Sequence, residues 1–124
     1  MAIILVADDE EDIRELIALA LQLDGHQVIL TSDGQQAYNY TVRESPDLVL
    51  VDVGMPKMTG YQVCQRLKKN RKTRNIPVVF LSAKGREAEV KAGLDAGGAA
   101  YILKPFALQD LRSQVNAILQ RHYV

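Results

Sequence analysis

The chain has 124 residues, of which 48% are hydrophobic and 24% charged, so it is one globular domain and neither a disordered chain nor an ordinary pair of domains. Lys and Arg total 15 against 15 Asp and Glu, a neutral balance that argues against direct nucleic-acid binding through phosphates. The single cysteine, Cys64, excludes an internal disulfide, and neither a signal peptide nor an apolar run of roughly 20 residues is present, so the expected setting is cytoplasmic with no membrane partner.

Apolar runs alternate with helical patterns along the chain. Ile3 to Ala7 is continuous and β-branched, as in a strand buried on both faces, and it stops at Asp8-Asp9. A helix is expected from Glu10 to Leu23, with Ile13, Leu16, Ile17, Ala20 and Leu21 as its inward stripe and acids in its first turn. His26 to Thr31 reads as a second strand and Gly34 to Arg43 as a polar helix. Leu48 to Val51 is a buried strand that runs straight into Asp52, and a helix follows Gly60 as far as Lys69. Ile76 to Leu81 is a fourth strand ending at Ser82. The next helix, from Arg86 to Asp95, is weakened by Gly93, which costs about 1 kcal/mol relative to Ala. Ala99 to Leu103 is a fifth strand ending at Lys104-Pro105, and the last helix covers Leu108 to Arg121. Strands that alternate with helices through short connections imply a doubly wound α/β fold with a parallel sheet.

In such sheets ligands bind beyond the carboxyl ends of the strands. Those ends carry Asp8 and Asp9, Asp52, Ser82 and Lys104, each polar and each following an apolar run. Carboxylates brought together repel one another unless a cation neutralises them, and an oxygen-only set with few protein ligands suits Mg2+. A metal, an ammonium and a hydroxyl around one free carboxylate can stabilise a transferring phosphoryl group, with the carboxylate as nucleophile. Singly, each residue has an ordinary reading as a turn residue, a helix cap or a solvated lysine. Their joint placement at four strand termini favours a site.

These segments closely resemble the receiver domain of two-component response regulators. The resemblance covers essentially the whole of residues 1–124. It rests on Val6 to Glu10, Val51 to Pro56 with Gly60, Leu81 to Lys84, and Tyr101 to Phe106, with 30 residues from Asp52 to Ser82 and 22 more to Lys104. It implies a flavodoxin-like five-stranded parallel sheet in the order 2-1-3-4-5 and a phosphorylation-dependent signalling switch rather than an enzyme acting on a separate substrate. Asp52 would accept a phosphoryl group from a sensor histidine kinase or phosphotransfer protein, and the domain would assist its own phosphorylation and dephosphorylation. Asp9, Asp52 and the Gly54 carbonyl would hold Mg2+ directly, and Asp8 through water. Ser82 and Lys104 would hold phosphoryl oxygens, and Tyr101 would turn inward when Ser82 moves. The Lys104-Pro105 bond would be cis. The readout would be the face of the fourth helix, fifth strand and fifth helix, acting on a downstream protein or an output domain absent from this chain.

Two departures stand out. Gly54 occupies a position where family members usually carry a side chain that shapes water access, which bears on the lifetime of the phosphorylated state. Ala99, Ala100, Val90 and Gln114 replace the charged positions of transcription-factor-type receiver dimers, so the expectation is a monomer or a dimer of another geometry. Alternatives fit less well. An aspartyl-phosphate phosphohydrolase would need a second Asp at position 54, and a flavin binder would need a phosphate-cradling loop where Asp8, Asp9 and Glu10 stand. A degenerate receiver used only for docking would not keep every functional position. Cys64 reads as a small buried apolar residue, Lys68 to Lys72 as a solvated helix end, and neither His26 nor His122 has metal-like neighbours.

Overall fold

Burial on both faces decides which strands lie in the middle of the sheet. All five residues of β3 (Leu48–Asp52) and of β4 (Val78–Ser82) are buried, as are four of five in β1 (Ile3–Ala7). The mixed runs β2 (Gln27–Thr31) and β5 (Ala100–Leu103) form the two edges. The computed structural model describes residues 1–123, with side chains through residue 121, and the side chain of His122 lies outside the described residues. All strands pair in parallel in the order β2-β1-β3-β4-β5. The helices are α1 (Glu11–Leu23), α2 (Gly34–Glu44), α3 (Gly60–Lys69), α4 (Glu87–Asp95) and α5 (Leu108–Tyr123). The flavodoxin-like doubly wound expectation holds.

Alternation along each strand splits the core in two. Ile4, Val6, Leu48 and Leu50 face α1 and α5 through Ile17, Leu21, Leu111 and Val115. Leu5, Val49, Val51 and Phe80 face α2 and α3 through Ala37, Val63, Cys64 and Leu67. Among the described residues no helix is long and apolar enough to cross a membrane.

Element boundaries moved where capping chemistry decides. Glu10 occupies the N-cap position of α1 with extended backbone, instead of opening the helix, and its side chain makes no capping bond. Gly25, at φ 87°, ends that helix: its N–H donates to Gln22 O (2.9 Å) and the His26 N–H to Leu21 O (3.2 Å), the paired bonds of a left-handed glycine stop. β4 starts at Val78, after Pro77, which has no N–H for a ladder. A capping box starts α3: the Gln62 N–H donates to Thr59 Oγ1 at 3.2 Å and the Thr59 N–H to Gln62 Oε1 at 3.0 Å.

The inward stripe of α1 differs from the expected one. Ile17, Ala20 and Leu21 are buried, but Leu16 is 51% exposed. With Ile13, Pro105, Phe106 and Leu108 it lines an apolar pocket of about 170 Å3 beside Lys104. Gly93 also has a packing reason that its helix propensity concealed. A Cβ there would lie 2.9 Å from Phe80 Cδ2 and 3.0 Å from Tyr101 Cδ2, so glycine lets α4 approach both rings.

Candidate functional site

Because β1, β3, β4 and β5 are consecutive in the sheet, their carboxyl ends meet along one edge. Asp8 follows β1, Asp52 is the last residue of β3, Ser82 the last of β4, and Lys104 follows β5. The Lys104 ammonium joins them, 2.9 Å from Asp8 Oδ2, 3.0 Å from Asp52 Oδ1 and 3.3 Å from Glu10 Oε1. The Lys104-Pro105 bond is cis, as the resemblance implies.

Asp8 is fully buried and both its oxygens are engaged, Oδ1 accepting the Glu10 N–H at 2.9 Å and Oδ2 the Lys104 ammonium. Arg14 Nη1 donates to the Asp8 carbonyl at 2.8 Å and ties α1 to this strand end. Asp9 is exposed. Carboxylate oxygens of Asp8, Asp9 and Glu10 lie within 4.8 Å of one another. Asp52 and Ser82 line a cleft of about 210 Å3 together with Glu10, Val53, Gly54, Ala83, Lys84 and Lys104.

Two glycines shape the Asp52 side of this cleft. At Gly60 a Cβ would fall 2.6 Å from the Asp52 carbonyl oxygen, so only glycine lets α3 start against the strand that presents Asp52. At Gly54 a Cβ would stand 3.8 Å from Asp52 Oδ2, in ordinary van der Waals contact. Any side chain at position 54 would therefore stand over the carboxylate, and glycine leaves it open.

Burial raises the pKa of Asp52 above the usual carboxylate value; hydrogen bonding and charge from Lys104 oppose that rise, and the charges of Asp8 and Asp9 add to it. For Lys104 burial acts to lower the pKa, but hydrogen bonds to Asp8 and Asp52 and their charges outweigh it and hold the group above an ordinary lysine. The site thus favours a charged ammonium at Lys104, while burial foremost disfavours the charged form of Asp52. The carboxylate oxygens of Asp8, Asp9 and Glu10, with Asp52 joined to Asp8 and Glu10 by the Lys104 ammonium, form an oxygen-only set whose chemistry suits a hard cation such as Mg2+. Ser82 Oγ accepts the Lys84 N–H at 3.0 Å, which leaves its own proton available to an oxygen in the cleft.

Tyr101, on β5, is half-buried next to Phe80, with its hydroxyl donating to the Lys84 carbonyl at 2.9 Å. Arg14 and Tyr61 are part of this end of the molecule but lie outside the sequence motifs, and Glu10 lies in the acidic motif with no sign there of its contact to Lys104. Glu10 was masked by a run of acids that a helix N-terminus explains by itself. Other residues turn out to be structural. Cys64 is buried, its thiol directed at Ala96 O (3.4 Å), and burial pushes it up to about 11. His26 accepts the Ala2 N–H at Nδ1 (3.1 Å) and pairs with Asn116 Oδ1 through Nε2 (2.8 Å), joining the start of β1 to α5. Lys68, expected in a solvated run, is half-buried and donates to Arg74 O (3.1 Å) and Ile76 O (2.8 Å).

The family model described as "Response regulator receiver domain" matches residues 4–116. The phosphate regulon transcriptional regulatory protein PhoB of Pseudomonas aeruginosa is 40% identical over 118 residues, 95% of this chain and 52% of that protein. RpaA of Synechocystis, a DNA-binding dual master transcriptional regulator, is 36% identical over 95% of this chain and 49% of its own length. The receiver domain of Francisella response regulator 1452 superposes with a TM-score of 0.91 at 29% identity, covering 98% of each chain. The receiver domain of the P. aeruginosa sensor histidine kinase PA1611, solved with a magnesium ion in its active-site cleft, gives 0.83 at 29% identity over 97% of this chain and 95% of that one.

The chain spans about half the length of these curated relatives. Their identity as transcriptional regulators corrects the partner expectation, which excluded nucleic acid and set the chain apart, as a monomer or another kind of dimer, from transcription-factor receivers. A neutral balance counted over one domain carries no information about residues outside it. Substitutions at Ala99, Ala100, Val90 and Gln114 remove charges from one face and do not remove a chain from that group.

Proposed function

This chain belongs to the response regulator receiver domain family, and on that premise we propose that residues 1–124 form one phosphoacceptor domain in which Asp52 takes a phosphoryl group. The observation that carries the reading is the Lys104 ammonium, 3.0 Å from Asp52 Oδ1 and 2.9 Å from Asp8 Oδ2, in a cleft that Gly54 leaves open on the Oδ2 side. Asp52 Oδ2 attacks the phosphorus of a donor such as the phosphohistidine of a histidine kinase. The new O–P bond forms as the P–N bond breaks, and that bond's electron pair stays on the imidazole. Lys104 and the Ser82 hydroxyl meet two of the phosphoryl oxygens.

Asp9, Asp52 and the Gly54 carbonyl would hold Mg2+, with Asp8 acting through water because both its oxygens are already engaged. Bound there, Mg2+ supplies positive charge against the phosphoryl oxygens. The phosphoryl group draws the Ser82 hydroxyl toward it and with it the loop that carries Lys84, and Tyr101 follows on the face of α4, β5 and α5. The setting is cytoplasmic, and the output we infer from the relatives is control of transcription.

Incubation with acetyl phosphate and Mg2+ tests the assignment. Intact mass should rise by one phosphate in the wild type and stay unchanged in Asp52→Asn. Equal modification of the variant would overturn it.

A further inference from the structure

Tyr61 is the second residue of α3, directly after the glycine that lets the helix start against β3. Its ring meets Phe80 edge-on at 5.2 Å, and Tyr101 meets Phe80 at 6.0 Å. Beyond the rings, the two tyrosine hydroxyls lie 3.2 Å apart. Each also reaches a main-chain carbonyl: Tyr61 Oη is 3.0 Å from Glu89 O in α4, and Tyr101 Oη is 2.9 Å from Lys84 O in the loop after β4. The Lys84 N–H in turn donates to Ser82 Oγ at 3.0 Å. A continuous hydrogen-bonded path therefore runs from the cleft through Ser82, Lys84, Tyr101 and Tyr61 to α4.

The path has more contacts than protons. Tyr101 donates to Lys84, so the single Tyr61 proton is divided between Glu89 O and the Tyr101 oxygen. Glu89 O lies inside a helix, where an amide four residues on also serves it, and its second lone pair shares the Tyr61 proton with Tyr101 Oη. Burial first, then the Tyr101 contact and the nearby Glu89 charge, raise the Tyr61 hydroxyl above an ordinary phenol, so it stays a donor. Glu89 Oε2 is itself buried with no hydrogen-bond partner among the described residues. A Tyr101 turned away from the cluster would give up both its contacts, whereas Tyr61 would keep Glu89. The hydroxyl of Tyr61 therefore acts on only one of the two positions of Tyr101, which is the requirement for shifting their balance.

We propose that Tyr61 is a positioning residue of the switch, holding Tyr101 in its tucked position through its hydroxyl and so favouring the phosphorylated arrangement of the loop after β4. The proposal rests on the switch role given to Tyr101 above and adds a residue on a different helix to it. Tyr61→Phe and Tyr101→Phe keep both rings against Phe80 and remove one hydroxyl each.

Beryllofluoride with excess Mg2+, titrated into the full chain and followed by the tyrosine ring resonances, serves as the phosphoryl probe. Tyr61→Phe is expected to raise the half-saturating beryllofluoride concentration about threefold to tenfold, the worth of one neutral hydrogen bond. In a Tyr101→Phe background the same substitution is expected to change it by less than about twofold, because the partner hydroxyl is gone. An unchanged midpoint in Tyr61→Phe, or an equal rise in both backgrounds, overturns the proposal. A wild-type chain that binds no beryllofluoride would instead overturn the receiver reading on which it rests.

Discussion

Replacing Gly93 by alanine sets two known effects against each other. In the interior of α4 the change gains about 1 kcal/mol of helix propensity. Against it, the new Cβ would lie 2.9 and 3.1 Å from Phe80 Cδ2 and Cε2 and 3.0 Å from Tyr101 Cδ2, well inside the roughly 3.5–4.0 Å of an ordinary carbon contact. Phe80 has no room to retreat. It is fully buried, Tyr61 stands edge-on against it, and a Cβ on Gly98 would already fall 2.3 Å from its Cε2. Overpacking of this kind costs about 1–3 kcal/mol, so clash exceeds propensity and Gly93→Ala should lose about 1 kcal/mol net. For a chain of this length that corresponds to a fall in Tm of roughly 3–6 °C. Urea unfolding followed by far-UV circular dichroism measures the loss directly. Phe80→Leu in the same chain opens space beside the new methyl group, and the double variant should be more stable than the two single losses add up to. A Gly93→Ala protein as stable as the wild type, or more so, would refute the packing argument and return Gly93 to a plain weakness in the helix.

Asp24 accepts two hydrogen bonds from the Arg112 guanidinium and one from Asn116, and the Arg112 bonds foremost hold it down to about 2. A depressed acid stabilises the fold above its unfolded pKa, and that stability is lost as pH falls from about 4 toward 2. The pair is partly exposed and screened, so Asp24→Asn should cost about 1 kcal/mol at pH 7, with the gap closing near pH 2; a gap that persists in acid would assign the loss to packing. For the metal, Asp9→Ala should weaken Mg2+ binding about tenfold or more and Asp8→Ala less, because the oxygens of Asp8 are engaged by Lys104 and the Glu10 N–H. Equal losses in a Mg2+ titration would mean that the direct and water-mediated roles are misassigned.

What the sequence made legible is what a local pattern can encode. Continuous apolar runs marked the central strands, and their abrupt ends marked Asp8, Asp52, Ser82 and Lys104, because a buried parallel strand tolerates polar groups only where it emerges. Contacts between distant segments were not legible. Leu16 matched the period of α1 yet faces out, since the loop at Pro105 and Phe106 leaves a pocket there where the stripe expects a wall. Lys68 read as one charge among several, whereas its ammonium ties together the loop before β4. Gly93 read as a propensity cost because nothing nearby in sequence announces Phe80 and Tyr101. The charge balance misled on partners because it was counted over a chain spanning about half of its relatives.

The central claim is that one carboxylate, Asp52, carries the phosphoryl group. Reduction of the phosphorylated protein with borohydride converts an acyl phosphate into a stable homoserine residue, which peptide mass spectrometry can locate. The account predicts homoserine at position 52 alone. Homoserine at position 8 or 9, or none after acetyl phosphate and Mg2+ have raised the intact mass, would contradict it.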